Sequence, residues 1–209
     1  MIHVYAFTDA GTPLPPVRGI GGSELELWTS GDVTAVISNV QDGPGREAVV
    51  AHGLVVEALR EIADAVLPVR FGERLADRAA LHAAITDRVG VLRERLASVR
   101  GCAEFGVRMQ SPPEAAAATP ASDGAAYLRA RLDARARASA VAAELHRPLV
   151  RCARAAVVSP GGDHAAAYLV SHERRSSFEH ALAAFMAAHP DVTVLCTGPW
   201  APYSFVEAA

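Results

Sequence analysis

The order of regular segments in the second half of the chain constrains its fold more than any other feature. Cys102 to Gln110 alternates, with Phe105, Val107 and Met109 set against Glu104, Gly106 and Arg108, the period of a half-buried strand. A long helix is expected over about Ala125 to Ala153, with Asp123 as its N-cap and Pro148 placed to kink or split it. Ala155 to Val158 and Ala165 to Ser171 flank Pro160-Gly161-Gly162-Asp163, a hairpin pattern. Ser176-Ser177-Phe178-Glu179 has capping-box spacing, and Phe178, Leu182 and Phe185 give the helix that follows an apolar face. His189-Pro190 ends it, and Val192 to Cys196 reads as the last regular strand. Strand, helix, strand, strand, helix, strand is the ferredoxin-like order, βαββαβ.

The first half holds a related set. Ile2 to Phe7 reads as a strand, and Leu25 to Trp28 and Val33 to Val40 form a hairpin around Ser30-Gly31-Asp32. A helix is expected from about Arg46 to Ala65, with Val55, Leu59, Ile62 and Val66 on one stripe. Val66 to Gly72 is a short apolar run whose Pro68 confines it to a sheet edge or an irregular strand. A second helix is expected over about Arg74 to Val99. The reading is therefore α+β with two packed subdomains. Residues 1–100 form an N-terminal mixed sheet with two helices, and 101–209 the ferredoxin-like domain, with a mobile loop at 111–124, SPPEAAAATPASDG.

Composition narrows function mainly by exclusion. All 20 basic residues are arginine, against 23 acidic, and the formal net charge is -3. That balance gives no drive toward nucleic acid or an anionic membrane. The arginines of the long helix fall around much of its circumference, as on a solvated helix or one facing an acidic partner. No apolar run reaches the ~20 residues of a membrane span. MIHVYAFTDAG shows no secretory leader pattern, so a cytoplasmic location is expected. Cys102, Cys152 and Cys196 are far apart and read as buried free thiols. A phosphate loop of the lysine-containing kind is impossible here, and no GxSxG occurs. The eight histidines show no ligand spacing, and His52 reads as a packed or surface side chain without a nucleophile partner. No catalytic residue, metal or cofactor is assigned.

Two segments stand apart. Arg70, between Val69 and Phe71, is either a sheet-edge arginine paired with Glu73 or Asp77 or a fixed guanidinium on an interaction surface. The chain also ends its regular sequence on TGPWAPYSFV, three large aromatics in a protein that is only 6% aromatic. Pro199 and Pro202 restrict φ on either side of Trp200, and Tyr203 to Val206 alternate like a short strand. Trp200 and Phe205 are expected to pack inward, with an exposed aromatic patch as the alternative.

VLPVRFG at Val66 to Gly72 and TGPWAPYSFV at Thr197 to Val206 resemble the signatures of the gas vesicle GvpL/GvpF family. IHVYAF, EFGVRM, AYLRARL and YLV at Tyr168 to Val170 support the resemblance along nearly the whole chain. One departure is Ala201, where the family's usual tail has a proline. The resemblance implies a noncatalytic accessory or minor structural component of gas vesicles. Its expected partners are the main, very hydrophobic shell protein and other accessory proteins, without a lipid membrane. Arg70, Phe71 and Tyr203 are the candidate partner-binding residues. Pro68, Gly72, Gly198, Pro199, Trp200, Pro202 and Phe205 form the structural motif. Two other classes stay open on the residues alone: a small-molecule-binding regulatory module of ferredoxin-like fold, and a cofactor-free enzyme using Arg70 and a histidine.

Overall fold

A computed structural model describes residues 1–40, 45–110, 124–159 and 165–206. The chain divides into two compact units. The first comprises Met1–Glu104 and the segment from Pro199 onward; the second is Phe105–Gly198. The expected loop 111–124 and the Asp123 cap fall, but for Gly124, outside the described residues.

In the first unit β1 (Ile2–Asp9), β2 (Glu26–Ser30), β3 (Val33–Asn39) and β4 (Val66–Pro68) form a sheet in the order β2-β3-β1-β4, and β5 (Arg74–Leu75) also pairs with β1. All these pairings are antiparallel. The register of β1 on β3 slips between Val4 and Ala6, and Tyr5 and Ala6 join the same core cluster. The helix α1 (Arg46–Ile62) supplies Val55, Val56 and Leu59 to that cluster. On the sheet's other face His82 lies edge-on to Trp28, ring centroids 6.3 Å apart.

The edge position expected of the Val66 to Gly72 run holds, but its extent and the second helix differ from expectation. The apolar run Val66 to Gly72 is a strand only as far as Pro68, at the sheet edge that proline tolerates. The single helix over Arg74 to Val99 is instead β5 followed by α2 (Arg78–Thr86) and α3 (Val89–Val99). Asp77 caps α2 by accepting the Ala80 N–H at 2.8 Å, which fixes a later start. Arg88, at φ -120° and ψ 5°, leaves helical geometry before Val89.

The second unit has β6 (Cys102–Gln110), α4 (Gly124–Cys152), β7 (Ala155–Val158), β8 (Ala165–Ser171), α5 (Arg175–Ala188) and β9 (Thr193–Trp200), with sheet order β7-β8-β6-β9. This is the ferredoxin-like arrangement. Phe105, Tyr168 and Phe178 form its aromatic centre, with Phe178 5.3 Å from Phe105 and 5.4 Å from Tyr168 between centroids. The helix α4 runs unbroken through Pro148. Ser176 does not cap α5: a 3-10 turn at His172–Arg174 leads directly into the helix, which has no side-chain cap. Of the three thiols only Cys102 is buried, and Cys196 is exposed.

Candidate functional site

The first signature segment and the part of the second from Pro199 onward meet in the first unit. Val66 and Ala201 belong to one core cluster with Tyr5, Val36, Val55, Val56 and Leu59, and Phe71 packs against it. Each segment carries a glycine in the left-handed region, Gly72 at φ 104° and Gly198 at φ 115°. A side chain there would be strained, which accounts for glycine at both positions.

Beneath the first segment lies a buried polar chain that sequence reading missed. His3 and His52 are almost wholly buried. His52 Nε2 lies 2.9 Å from the Val69 carbonyl oxygen. A carbonyl only accepts, so this nitrogen carries the proton and Nδ1 of the neutral ring is an acceptor. His3 Nε2, 2.9 Å from that Nδ1, is therefore the donor. His3 Nδ1 is left as a buried acceptor that meets no donor among the described residues. Burial first, then His52 and Arg74, pull the His3 pKa down to about 4, and burial also lowers that of His52. The Phe71 ring lies 5.8 Å from both imidazoles. The outcome is a pair of neutral rings holding the backbone just ahead of Arg70. Arg70 itself is exposed and Phe71 half-buried.

Tyr5 extends the polar layer. Its hydroxyl accepts the Ile20 N–H at 2.8 Å and pairs with Ser38 Oγ at 2.8 Å. These contacts anchor the Gly/Pro-rich loop between β1 and β2.

The tail departs from expectation. β9 continues through Trp200, and Tyr203–Phe205 is a 3-10 turn rather than a strand. The extended backbone at the end of β9 turns Trp200 outward, leaving it 48% exposed, while Ala201 is 0% exposed. Pro202 is buried, Phe205 is 8% exposed, and Tyr203 is partly exposed, at 36%, with burial pushing its hydroxyl pKa up to about 12. Inward packing therefore holds for Phe205 and fails for Trp200. The Ala201 N–H donates to Glu57 Oε1 at 3.0 Å. Glu104 accepts from both the Ser204 N–H, at 2.8 Å, and the Ser204 hydroxyl, at 2.7 Å.

In the second unit a cleft of about 170 Å³ lies beside α4, lined by Val107, Leu145, His146, Ala166 and Tyr168 among others. Its two main polar groups are joined to each other, His146 Nδ1 to Tyr168 Oη at 2.8 Å, so they do not converge on a free centre. Among the described residues no group of three or more His, Cys, Asp or Glu is placed to hold a metal, and no helix is long and apolar enough to cross a membrane.

Comparison with known proteins agrees with this architecture. The chain is 31% identical to gas vesicle protein L of Streptomyces sp. (strain CB03234), covering 99% of this chain and 93% of that one. It is 30% identical to gas vesicle protein F2 of Halobacterium salinarum, covering 99% and 92%. The crystal structure of GvpF from Anabaena sp. PCC7120 superposes with a TM-score of 0.83 at 17% identity, over 100% of this chain and 96% of that one. GvpF from Microcystis aeruginosa gives 0.78 at 16%, over 99% and 98%. These two share the fold. The pattern of the family described as gas vesicle synthesis protein GvpL/GvpF matches residues 1–207, and the chain belongs to that family.

Proposed function

We propose that this chain is a noncatalytic assembly protein of the gas vesicle, acting in the cytoplasm. It binds the main shell protein directly, keeps it from aggregating and assists vesicle nucleation. The observation that carries this reading is the family match over residues 1–207. A sheet-forming, very hydrophobic client must hide apolar surface before assembly, and a folded partner with exposed apolar side chains and short edge strands suits that task. The contact is assigned to Arg70, Phe71 and Tyr203. Arg70 and Tyr203 are exposed, and Phe71 packs on the cluster that also holds Ala201 of the tail. A specific complex would bury about 1,200–2,000 Å² in total.

Co-expression with the shell protein tests this. The expected result is co-purification and a soluble shell subunit, both reduced by Arg70→Glu. If the wild-type chain neither co-purifies with the shell subunit nor keeps it soluble, direct binding is wrong. If binding survives Arg70→Glu undiminished, the assigned contact is wrong.

A further inference from the structure

The helix α4 has 29 residues, about 43 Å at 1.5 Å per residue, yet only its second half is packed. Its buried residues are Leu145 and Leu149. Every residue from Gly124 to Asp133 is exposed. A surface helix ordinarily hides one stripe; these first turns hide none.

Their chemistry is uneven around the axis. Leu128, Arg131, Leu132 and Arg135 stand at i, i+3, i+4 and i+7 and so share one face. Leu128 is 60% exposed and Leu132 66%. Tyr127, 52% exposed, borders them, and the Arg131 guanidinium lies over its ring, 5.9 Å from the centroid. Arg131 stands about five whole turns before Leu149 and so lies in line with the packed stripe of Val141, Leu145 and Leu149, whereas Leu128 and Leu132 lie to one side of that stripe. The nearby acid Asp133 lies off the leucine face by the same periodicity. Among the described residues neither Arg131 nor Arg135 makes an ion pair. Two leucines one turn apart thus sit beside two unpaired arginines with no carboxylate among them.

We propose that the Leu128–Leu132 face of α4 docks an acidic amphipathic helix of another protein. A ridge of leucines spaced i, i+4 fits the groove of a second helix, and the bare arginines call for carboxylates flanking that helix's apolar stripe. A second copy of this chain is the wrong occupant, because matching faces would bring two Arg131 and two Arg135 side chains together. A membrane surface is disfavoured because the same stripe continues into Ser139 and Ala142, too short an apolar face for insertion. The inference does not rest on the shell protein being the partner.

The test uses the full chain and a designed helical peptide of about 20 residues, with leucine on one stripe and glutamate elsewhere. A control peptide replaces every glutamate by lysine. Fluorescence anisotropy should show saturable binding of the acidic peptide only, weakening severalfold between about 50 and about 300 mM salt. The variant Leu128→Gln/Leu132→Gln keeps helix propensity at exposed sites. It should lose binding about tenfold or more, with an unchanged circular dichroism spectrum and unfolding midpoint. Equal binding of both peptides, binding of neither, or undiminished binding by the variant would overturn the proposal. So would self-association in the ultracentrifuge, or tight capture by anionic lipid vesicles, if the same two substitutions abolish it.

Discussion

The Ala201 N–H donates to Glu57 Oε1 at 3.0 Å across a separation of 144 residues. The contact anchors the tail to α1, at the position where the sequence resemblance leads one to expect a proline. Proline at this position has no N–H to donate, whereas alanine does, and its small side chain is fully buried. Glu57 is held in place from its other oxygen by Arg60 Nε at 2.6 Å. Glu57→Ala should therefore loosen the tail, with a stability loss of about 1–3 kcal/mol, read by urea denaturation. Hydrogen exchange at the Ala201 amide should accelerate more than at β3. Unchanged exchange there would mean that the carboxylate does not hold the tail.

The two tail aromatics should separate in energy. Phe205→Ala removes a ring that is 8% exposed and should cost about 3–5 kcal/mol. Trp200→Ala removes one that is 48% exposed and should cost less than about 1 kcal/mol. Chemical denaturation of both variants checks this. Equal losses would contradict the outward setting of Trp200.

These residues also show how far the sequence could be read. The alternating segments and apolar helix stripes of the second half announce a ferredoxin-like order, because strand and helix periods are local properties. The direction of Trp200 is not local. It depends on β9 running on through Gly198, whose positive φ cannot be read from residue identity alone. The 74–99 region shows one continuous apolar stripe, so its division at Asp87 and Arg88 is masked by a spacing that both short helices share. The His3–His52 pair joins residues 49 apart. Its only hint is a histidine in a strand, IHVYAF, otherwise free of charge and almost wholly buried.

That pair predicts an acid-sensitive fold. Both imidazoles have pKa values lowered by burial, His3 to about 4 from an ordinary 6.5. Below 6.5 the unfolded chain takes up protons that the folded chain refuses, so stability falls as pH falls. The loss should be absent above about pH 7.5 and accumulate between pH 6.5 and about 4, by at most about 1.4 kcal/mol per pH unit for each proton. Urea midpoints across this range measure it. His52→Gln should flatten the dependence, since it removes one titrating ring, even though it also lowers stability at pH 7. A midpoint insensitive to pH over that window would show that the rings are not held neutral.

The Tyr5 hydroxyl sets a limit on the loop that it anchors. Gly19 has an ordinary backbone conformation, φ -77°, so glycine is not required there for flexibility. What excludes a larger residue is space. A Cβ on Gly19 would stand 2.5 Å from Tyr5 Oη and 2.7 Å from Ser23 Oγ. Gly19→Ala should therefore destabilise the fold by about 1–3 kcal/mol through overpacking. Tyr5→Phe alone should cost about 1–3 kcal/mol, because it leaves the buried Ile20 N–H without its acceptor. Together the two should cost less than their sum, since deleting the hydroxyl vacates the space that the new methyl needs. A double-mutant cycle by denaturation should give a coupling of about 0.5 kcal/mol or more. Strict additivity would mean that the loop moves away from Tyr5 to accept the methyl, and that the hydroxyl does not fix its position.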